Sequence, residues 1–243
     1  MYCMKVTIWI PAADSPRWPC VMSWLNINKP ADCEEIKFVR SGANNVKYSW
    51  NRVIENFLKS DHDWLLSVHN DVVFEPDTLN RLLSWDKKLI SALIFMRQSP
   101  IVPHIWKQYD DPTKYAHRIQ DTREWFFKHP ELIRFGSFIA EPRPEDALVP
   151  IDFTSTSCTL IHRSVLEGMR ELVADVWFEW DDDYNGGGED RRFFENAAKC
   201  GFEAFVDRSC VVGHLVGDIP TSVADFIAWE NVSVYEDTGE PQQ

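Results

Sequence analysis

The hydrophobic pattern of the first hundred residues alternates between short apolar runs and stretches with helical spacing. Runs rich in β-branched residues predict buried strands, and the first of them, KVTIWIP, ends in Pro11. Apolar positions recur every three or four residues between 46 and 59, which predicts a helix, and a second helix is predicted after Pro76. The predicted strands of this half are 5–11, 35–40, 64–68 and 89–95. This alternation predicts an α/β domain with a mostly parallel, doubly wound sheet flanked by helices.

The region 97–150 breaks the alternation, because it is rich in proline and aromatic residues and shows no strand pattern. It indicates a long excursion over the sheet, with one helix near 120–128. The pattern then returns with strands at 149–153, 158–162, 203–206 and 210–214 and helices at 164–173 and 189–200. We therefore expect a single domain over 1–216, with 97–150 as a variable segment, followed by a C-terminal tail, 217–243.

Composition narrows the class of protein. No apolar run is long enough to predict a membrane span or a signal peptide, so a cytoplasmic protein without membrane insertion is expected. The six cysteines show no CxxC spacing and are expected to be buried free thiols. The formal net charge of −13 argues against broad electrostatic binding to nucleic acid or anionic lipid, although a local basic groove stays possible.

The most informative polar triplet, His69, Asn70 and Asp71, directly follows the apolar run WLLSV. Ligands of doubly wound sheets bind at the carboxyl ends of strands, which is where this triplet is expected. A carboxylate there can hold Mg²⁺ or Mn²⁺ beside a substrate phosphate. A simple turn-forming role for Asp71 stays open.

Three segments in this order resemble the GT-A glycosyltransferases, particularly the bacterial and phage enzymes near family 2. They are WLLSVHNDVVFEPDTL, VPIDFTSTSCTLIHRSVL and GGGEDRRFFENAAKCGFEAFVDRSCVVGHL, and the resemblance covers roughly residues 5–215. It implies a Rossmann-like GT-A fold in which 1–96 binds the nucleotide-sugar and 151–216 forms the acceptor and catalytic half.

The resemblance also implies a metal site. Asp71 corresponds to the last aspartate of a DxD motif, and His214 corresponds to a histidine that completes the metal shell. The sequence departs from the motif because His69 and Asn70 replace the first two positions. His69 is then a third metal ligand, a ribose contact or the sign of a weakened site, and an imidazole ligand favours Mn²⁺ over Mg²⁺.

Glu189 and Asp190 open a predicted helix, where carboxylates also stabilise the helix dipole. The resemblance implies instead that Asp190 is the general base facing the acceptor hydroxyl in an inverting mechanism, with Glu189 supporting it or binding the acceptor. In a retaining enzyme the same residues would position the acceptor.

The remaining candidates are nucleotide-sugar contacts at the ends of predicted strands or near them. Arginine suits phosphate because of its planar guanidinium, although an exposed arginine is usually only solvated. The cofactor-binding candidates are Pro11, Ala12, Asp14, Arg40, Asn44, Asn51, Asn70 and Arg97.

Two further features are candidates for sugar contacts. The run 154–157 (TSTS) resembles a small-residue loop that lets the donor sugar approach the backbone, and a polar edge strand is the alternative. Aromatic side chains suggest an acceptor site, since sugars and bases both stack on aromatic rings. They lie in the loop 177–184 and in the variable segment, at Trp106, Tyr109, Tyr115, Trp125 and Phe126.

The resulting hypothesis is a transferase that uses Mn²⁺ or Mg²⁺ and a UDP- or GDP-sugar as donor. A saccharide, a small metabolite, a protein side chain or a hydroxymethylated base in phage DNA stay open as acceptor. The alternative from another class is a catalytically inactive nucleotide-sugar or carbohydrate-binding module, suggested by the altered HND triplet. A nucleotidyltransferase is disfavoured because PAADSPRWP lacks a glycine-rich, basic character.

Overall fold

The computed structural model describes residues 4–11, 16–41, 46–98, 101–108, 115–117, 119–130, 144–179 and 188–228. Its helices are α1 (Trp18–Leu25), α2 (Val46–Lys59), α3 (Thr78–Leu83), α4 (Ile119–Lys128), α5 (Arg163–Val173) and α6 (Glu189–Lys199), with a 3₁₀ turn at Glu145–Ala147 and a helical segment at 223–228. Its strands are β1 (Met4–Pro11), β2 (Cys33–Ser41), β3 (Trp64–Val68), β4 (Val72–Val73), β5 (Leu89–Ile94), β6 (Ile105–Gln108), β7 (Tyr115–His117), β8 (Leu148–Ile151), β9 (Phe153–Thr154), β10 (Cys158–His162), β11 (Ala204–Val216) and β12 (Ile219–Pro220).

The main sheet has the order β12-β11-β5-β10-β3-β1-β2, and β4 and β8 also pair with β11. Strands β2, β1 and β3 are parallel to one another, and so are β5 and β11. Strand β10 runs antiparallel between β3 and β5. The expectation of a mixed α/β fold with a mostly parallel sheet is therefore confirmed, with one reversed strand in its middle.

A second, small sheet has the order β7-β6-β9. Two of its strands lie in the region 97–150, for which the sequence predicted no strands. The helix predicted there is present as α4. Two of the aromatic residues expected at an acceptor site are instead part of the core: Trp125 is 2% exposed and Phe126 is fully buried.

Strand β11 is continuous over Ala204–Val216, although the sequence predicted two short strands. Its register with β5 shifts between Asp207 and Val211, which marks a bulge. The buried Asp207 carboxylate accepts hydrogen bonds from the Ser209 N–H and the Trp85 indole N–H, both at 2.8 Å. The polar residues at 207–209 made the sequence predict a break between two strands. The structure gives Asp207 and Ser209 hydrogen-bond partners inside the protein, so the strand continues through them.

Two cores lie on the two faces of the main sheet. One face packs an aromatic column in which Trp9 of β1 contacts Trp50 of α2, with ring centroids 3.9 Å apart. Trp50 stacks on Phe178, and Phe178 stacks on Phe193 of α6. The other face packs aliphatic residues of the strands against α3, including Leu79. Because successive side chains along a strand point to opposite faces of the sheet, the strands contribute residues to both cores.

The first part of the predicted tail packs onto the domain. Strand β12 pairs with the end of β11, and Val223 and Phe226 are fully buried. The last residues, 229–243, lie outside the described residues. Among the described helices, none combines the length and apolar character that crossing a membrane requires. Four of the described cysteines, Cys20, Cys33, Cys158 and Cys210, are buried free thiols, as expected, and Cys200 is half-buried.

Candidate active site

One edge of the main sheet collects most of the predicted site residues. Strands β1, β2, β3, β5 and β11 all place their carboxyl ends there, because they run in the same direction. The reversed strand β10 starts at this edge, so the preceding turn, 155–157, lies there as well. Three predicted features therefore meet at the carboxyl edge: the HND turn (69–71), the TSTS run (154–157) and His214.

The HND turn is fixed to its neighbours by backbone hydrogen bonds. The His69 N–H donates to the Ser157 carbonyl at 2.9 Å, and the Leu215 N–H donates to the Asp71 carbonyl at 2.8 Å. Strand β4, which follows the turn, pairs with β11 next to His214. The fold thus brings Asp71 and His214 together although they are far apart in sequence.

The Asp71 carboxylate is surrounded by nitrogen groups. Its Oδ2 accepts a hydrogen bond from Arg97 Nη1 at 2.8 Å and lies 3.3 Å from His214 Nε2. Burial alone would raise the pKa of Asp71, but the hydrogen bond from His214 and the positive charges of His214, His69 and Arg97 outweigh burial and lower the pKa to about 2. Asp71 is therefore an anion at any physiological pH.

His214 has the orientation that second-shell bonds give to metal-binding histidines. Its Nδ1 lies 3.2 Å from the Phe95 carbonyl, an acceptor, so Nδ1 carries the proton. The hydrogen bond to Asp71 Oδ2 uses a proton on Nε2, and a cation held by Asp71 and His214 would take the place of that proton. Two adjacent ligands of an octahedral ion with bonds of about 2.1 Å lie about 3 Å apart, and the separation of 3.3 Å fits such a pair.

His69 is the second imidazole at this edge of the sheet. Its Nδ1 lies 3.3 Å from Ser157 Oγ, whereas its Nε2 is buried and has no hydrogen-bond partner among the described residues. Burial is the main cause that lowers the pKa of His69 to about 4, with a smaller contribution from the charge of His214. The ring is therefore neutral at pH 7, which is the form that binds metals.

These donor types fit a divalent cation, but they do not form a finished three-ligand site. Among the described residues, no group of three or more His, Cys, Asp or Glu side chains is placed so that it could hold a metal ion. The guanidinium of Arg97 instead contacts Asp71. Asp71 and His214 are the pair that a cation would share, and the ligand role of His69 stays a prediction.

Glu189 and Asp190 begin α6 after the N-cap residue Gly188, which makes no side-chain capping bond. Burial raises the pKa of both carboxyl groups, and the charge of Asp190 raises the pKa of Glu189 further. Asp190 accepts a hydrogen bond from the Thr156 hydroxyl, which partly offsets burial. A raised carboxyl pKa suits a proton acceptor, although stabilisation of the helix dipole also explains two acidic residues here.

The turn 155–157 has a role that the sequence did not reveal. The Thr156 hydroxyl donates to Asp190, while Ser157 contacts His69. The sequence showed only a run of small hydroxyl residues, expected beside the donor sugar. The structure makes the same run a link between the HND turn and α6.

The residues expected to contact the nucleotide do not all lie at the site. Pro11 and Arg40 lie near the ends of the paired strands β1 and β2, at the carboxyl edge. Asn51 uses its amide to bind the backbone of Phe178, with bonds of 2.9 and 3.0 Å, so the structure gives it a structural role. Asn70 is half-buried within the HND turn. Ala12, Asp14 and Asn44 lie outside the described residues, as do Tyr109 and most of the loop 177–184.

Comparison with known proteins identifies no family for this chain. No protein-family model matches the chain, and no curated protein sequence matches it. Among solved structures, the crystal structure of A197 from STIV is similar, with a TM-score of 0.49 and 15% sequence identity over 88% of this chain and 87% of that chain. The chain is a mixed α/β protein whose central, mostly parallel sheet is flanked by helices.

Proposed function

We propose that this protein is a metal-dependent glycosyltransferase of the GT-A type that moves a sugar from a nucleotide-diphosphate sugar to a hydroxyl acceptor. One observation carries the proposal. The carboxyl edge of the sheet brings Asp71 and His214 together, and the turn 155–157 joins that edge to the carboxylates that open α6. A phosphate-binding cation and a proton acceptor are the two functions that such a transfer needs.

The donor end of the proposed site is the Asp71–His214 pair. A bound Mn²⁺ or Mg²⁺ would supply positive charge to the diphosphate that leaves as the glycosidic bond breaks. Arg97, which now contacts Asp71, is exposed on one side and is long enough to turn towards a phosphate. Pro11 and Arg40 lie at the same edge, where the nucleotide of a UDP- or GDP-sugar would bind.

The acceptor end is Asp190 with Glu189. A carboxylate has about four lone-pair sites, and the Thr156 hydroxyl occupies one of them on Asp190. The remaining lone pairs can accept the proton of an acceptor hydroxyl. The net charge of −13 favours a saccharide or a small hydroxyl compound over a modified base in duplex DNA.

A binding module without catalysis is the second candidate, and the Arg97–Asp71 contact favours it. At 2.8 Å the guanidinium already neutralises the carboxylate that would hold the cation. This candidate predicts donor binding that does not depend on metal and no turnover.

Donor hydrolysis and donor binding test the proposal together. A panel of UDP-, GDP- and TDP-sugars is incubated with Mn²⁺ or Mg²⁺, with and without EDTA, and nucleotide release and calorimetric binding are measured. Slow release from one donor, lost with EDTA and in Asp71→Asn, is the expected result. Asp61→Asn is the matched control, because Asp61 is an exposed carboxylate beside Lys5 at the opposite edge of the sheet. Donor binding that survives EDTA without any release supports the binding module, and no binding of any donor rejects both.

A further inference from the structure

A groove of about 500 Å³ lies between helix α1 and the hairpin formed by β11 and β12. Among the described residues, nine large apolar side chains are exposed, and five of these nine lie on this helix and this hairpin. They are Trp18, Met22, Leu25, Val216 and Ile219. We call the surface formed by these five side chains and the groove the α1–hairpin face.

The local structure places the five side chains on adjoining surfaces. The three in α1 are spaced by four and three residues, so they share one side of the helix. The two in the hairpin are paired across β11 and β12, so they point to the same side of it. Arg17 Nη1 donates to the Gly217 carbonyl in the hairpin turn, which places the start of α1 beside this turn.

The apolar area of this face matches what one partner contributes to a stable interface. Trp18, Leu25 and Ile219 keep 69–75% of their surface exposed, and Met22 and Val216 keep 39–50%. Together these side chains expose roughly 500 Å² of apolar surface. A standard interface buries about 800 Å² on each partner, of which about 56–65% is apolar. The five side chains therefore supply most of the apolar area of one such interface.

The distribution of charge makes this face suitable for contact between two copies of the chain. The net charge of −13 means that two copies repel each other over most of their surface. Helix α1 carries no charged residue, and Glu75 is the one charged residue among the described residues that line the groove. Contact through this face therefore brings few like charges together.

The shape of the face also favours a second copy. Trp18, which is largely exposed, lies one helical turn before Met22, which lines the groove. In a two-fold dimer each copy presents the same surface, so a projecting side chain of one copy can enter the groove of the other. A flat lipid surface would leave this groove unfilled, whereas protein interfaces pack as densely as protein interiors.

We propose that two copies of this chain associate through the α1–hairpin face in a two-fold symmetric dimer. Val73 of β4 and Gly213 of β11 line the groove. Thr221 lines it as well, and its N–H donates to the His214 carbonyl at 2.9 Å. The interface therefore borders the two strands that hold Asp71 and His214 together.

Sedimentation equilibrium of the full chain over a series of concentrations tests the proposal. The wild type is expected to show a reversible equilibrium between the single chain and a species of twice its mass. Leu25→Asp places a charge in the interface and should weaken association by at least about tenfold. Leu172→Asp is the matched control, because Leu172 is also an exposed leucine in the last turn of a helix, α5. Both aspartates are equally unfavourable for the helix dipole, but Leu172→Asp should leave association unchanged.

Circular dichroism establishes that each variant is folded. If Leu25→Asp does not fold, Trp18→Ser removes the projecting ring, and the same loss of association is expected. A wild type that stays monomeric up to about 1 mM would overturn the proposal, and so would a dimer that Leu25→Asp or Trp18→Ser leaves intact.

Phosphatidylcholine vesicles test the other occupant of such a face. A monomeric wild type that sediments with the vesicles, and loses this binding in Leu25→Asp, would overturn the dimer and assign the face to a lipid surface. None of these measurements involves a donor or a metal ion, so the dimer and the proposed function can fail independently of each other.

Discussion

Replacing Gly213 by alanine is expected to separate the two halves of the candidate metal site. An added Cβ would lie 2.4 Å from Pro220 Cβ and 2.8 Å from Val73 Cγ2. An ordinary carbon–carbon contact is about 3.5 Å, so the separation from Val73 must grow by about 0.7 Å and that from Pro220 by about 1.1 Å to make room. Strand β4 pairs with β11 at this point, and a shift of β4 displaces Asp71 from His214. Overpacking of this kind costs about 1–3 kcal/mol of unfolding free energy.

Urea unfolding and Mn²⁺ calorimetry measure the two effects, with the chemical shifts of the His214 ring as a readout that needs no metal. Gly217→Ala is the matched control on the same hairpin. Its Cβ meets no atom within 4 Å, but its φ of +63° makes alanine unfavourable, at a cost of about 1–2 kcal/mol. Both variants should lose stability, and Gly213→Ala alone should shift the His214 signals and lose Mn²⁺ affinity by about tenfold or more. A Gly213→Ala protein with wild-type His214 shifts and Mn²⁺ affinity would refute the reasoning.

Three further outcomes are expected. Because the native His69 stays neutral down to about pH 4 while the unfolded side chain is protonated below about pH 6.5, stability should fall as the pH is lowered through this window, by about 3 kcal/mol in total; urea titrations in which His69→Gln shows the same slope as the wild type would contradict this. Arg163 donates to four backbone carbonyls, two in the last turn of α2 and two in the turn that follows it, so Arg163→Met should lower the unfolding free energy by about 2–4 kcal/mol and Arg163→Lys by less, and losses below about 0.5 kcal/mol would argue against this capping role. Arg97→Met frees the Asp71 carboxylate and should tighten Mn²⁺ binding several-fold in calorimetry; weaker binding would indicate that Arg97 helps to build the site.

Much of the secondary structure could be predicted from the sequence because its signals are local. The helical spacing between 46 and 59 matches α2, and the apolar run at 64–68 matches β3, with the same bounds. Helix α1, Trp18–Leu25, was not predicted, since it is short and carries apolar residues without a clear polar face. The strands of the small sheet, of two to four residues each, are too short to give an alternating pattern.

Only part of the candidate site could be predicted from the sequence. The ordered motifs predicted that Asp71 and His214 would be neighbours, and the structure places them 3.3 Å apart. The Arg97–Asp71 contact and the bond from Thr156 to Asp190 depend on the order of the strands in the sheet, which no local pattern specifies. Asn51 illustrates the same limit, because its amide binds a backbone segment 127 residues away.

The reversed direction of β10 has a consequence for how the chain could diversify. A parallel strand delivers only the loop that follows it to the carboxyl edge, whereas β10 delivers the loop that precedes it. A change in the hydroxyl turn at 155–157 therefore leaves the exit of β10 into α5 at the opposite edge unaltered. It does affect the site, because Thr156 and Ser157 are buried and bond to Asp190 and to the HND turn. One inverted strand in the middle of the sheet thus places a buried turn between the two halves of the site, so that a change in this turn reaches both halves together while the strands of the core stay in place.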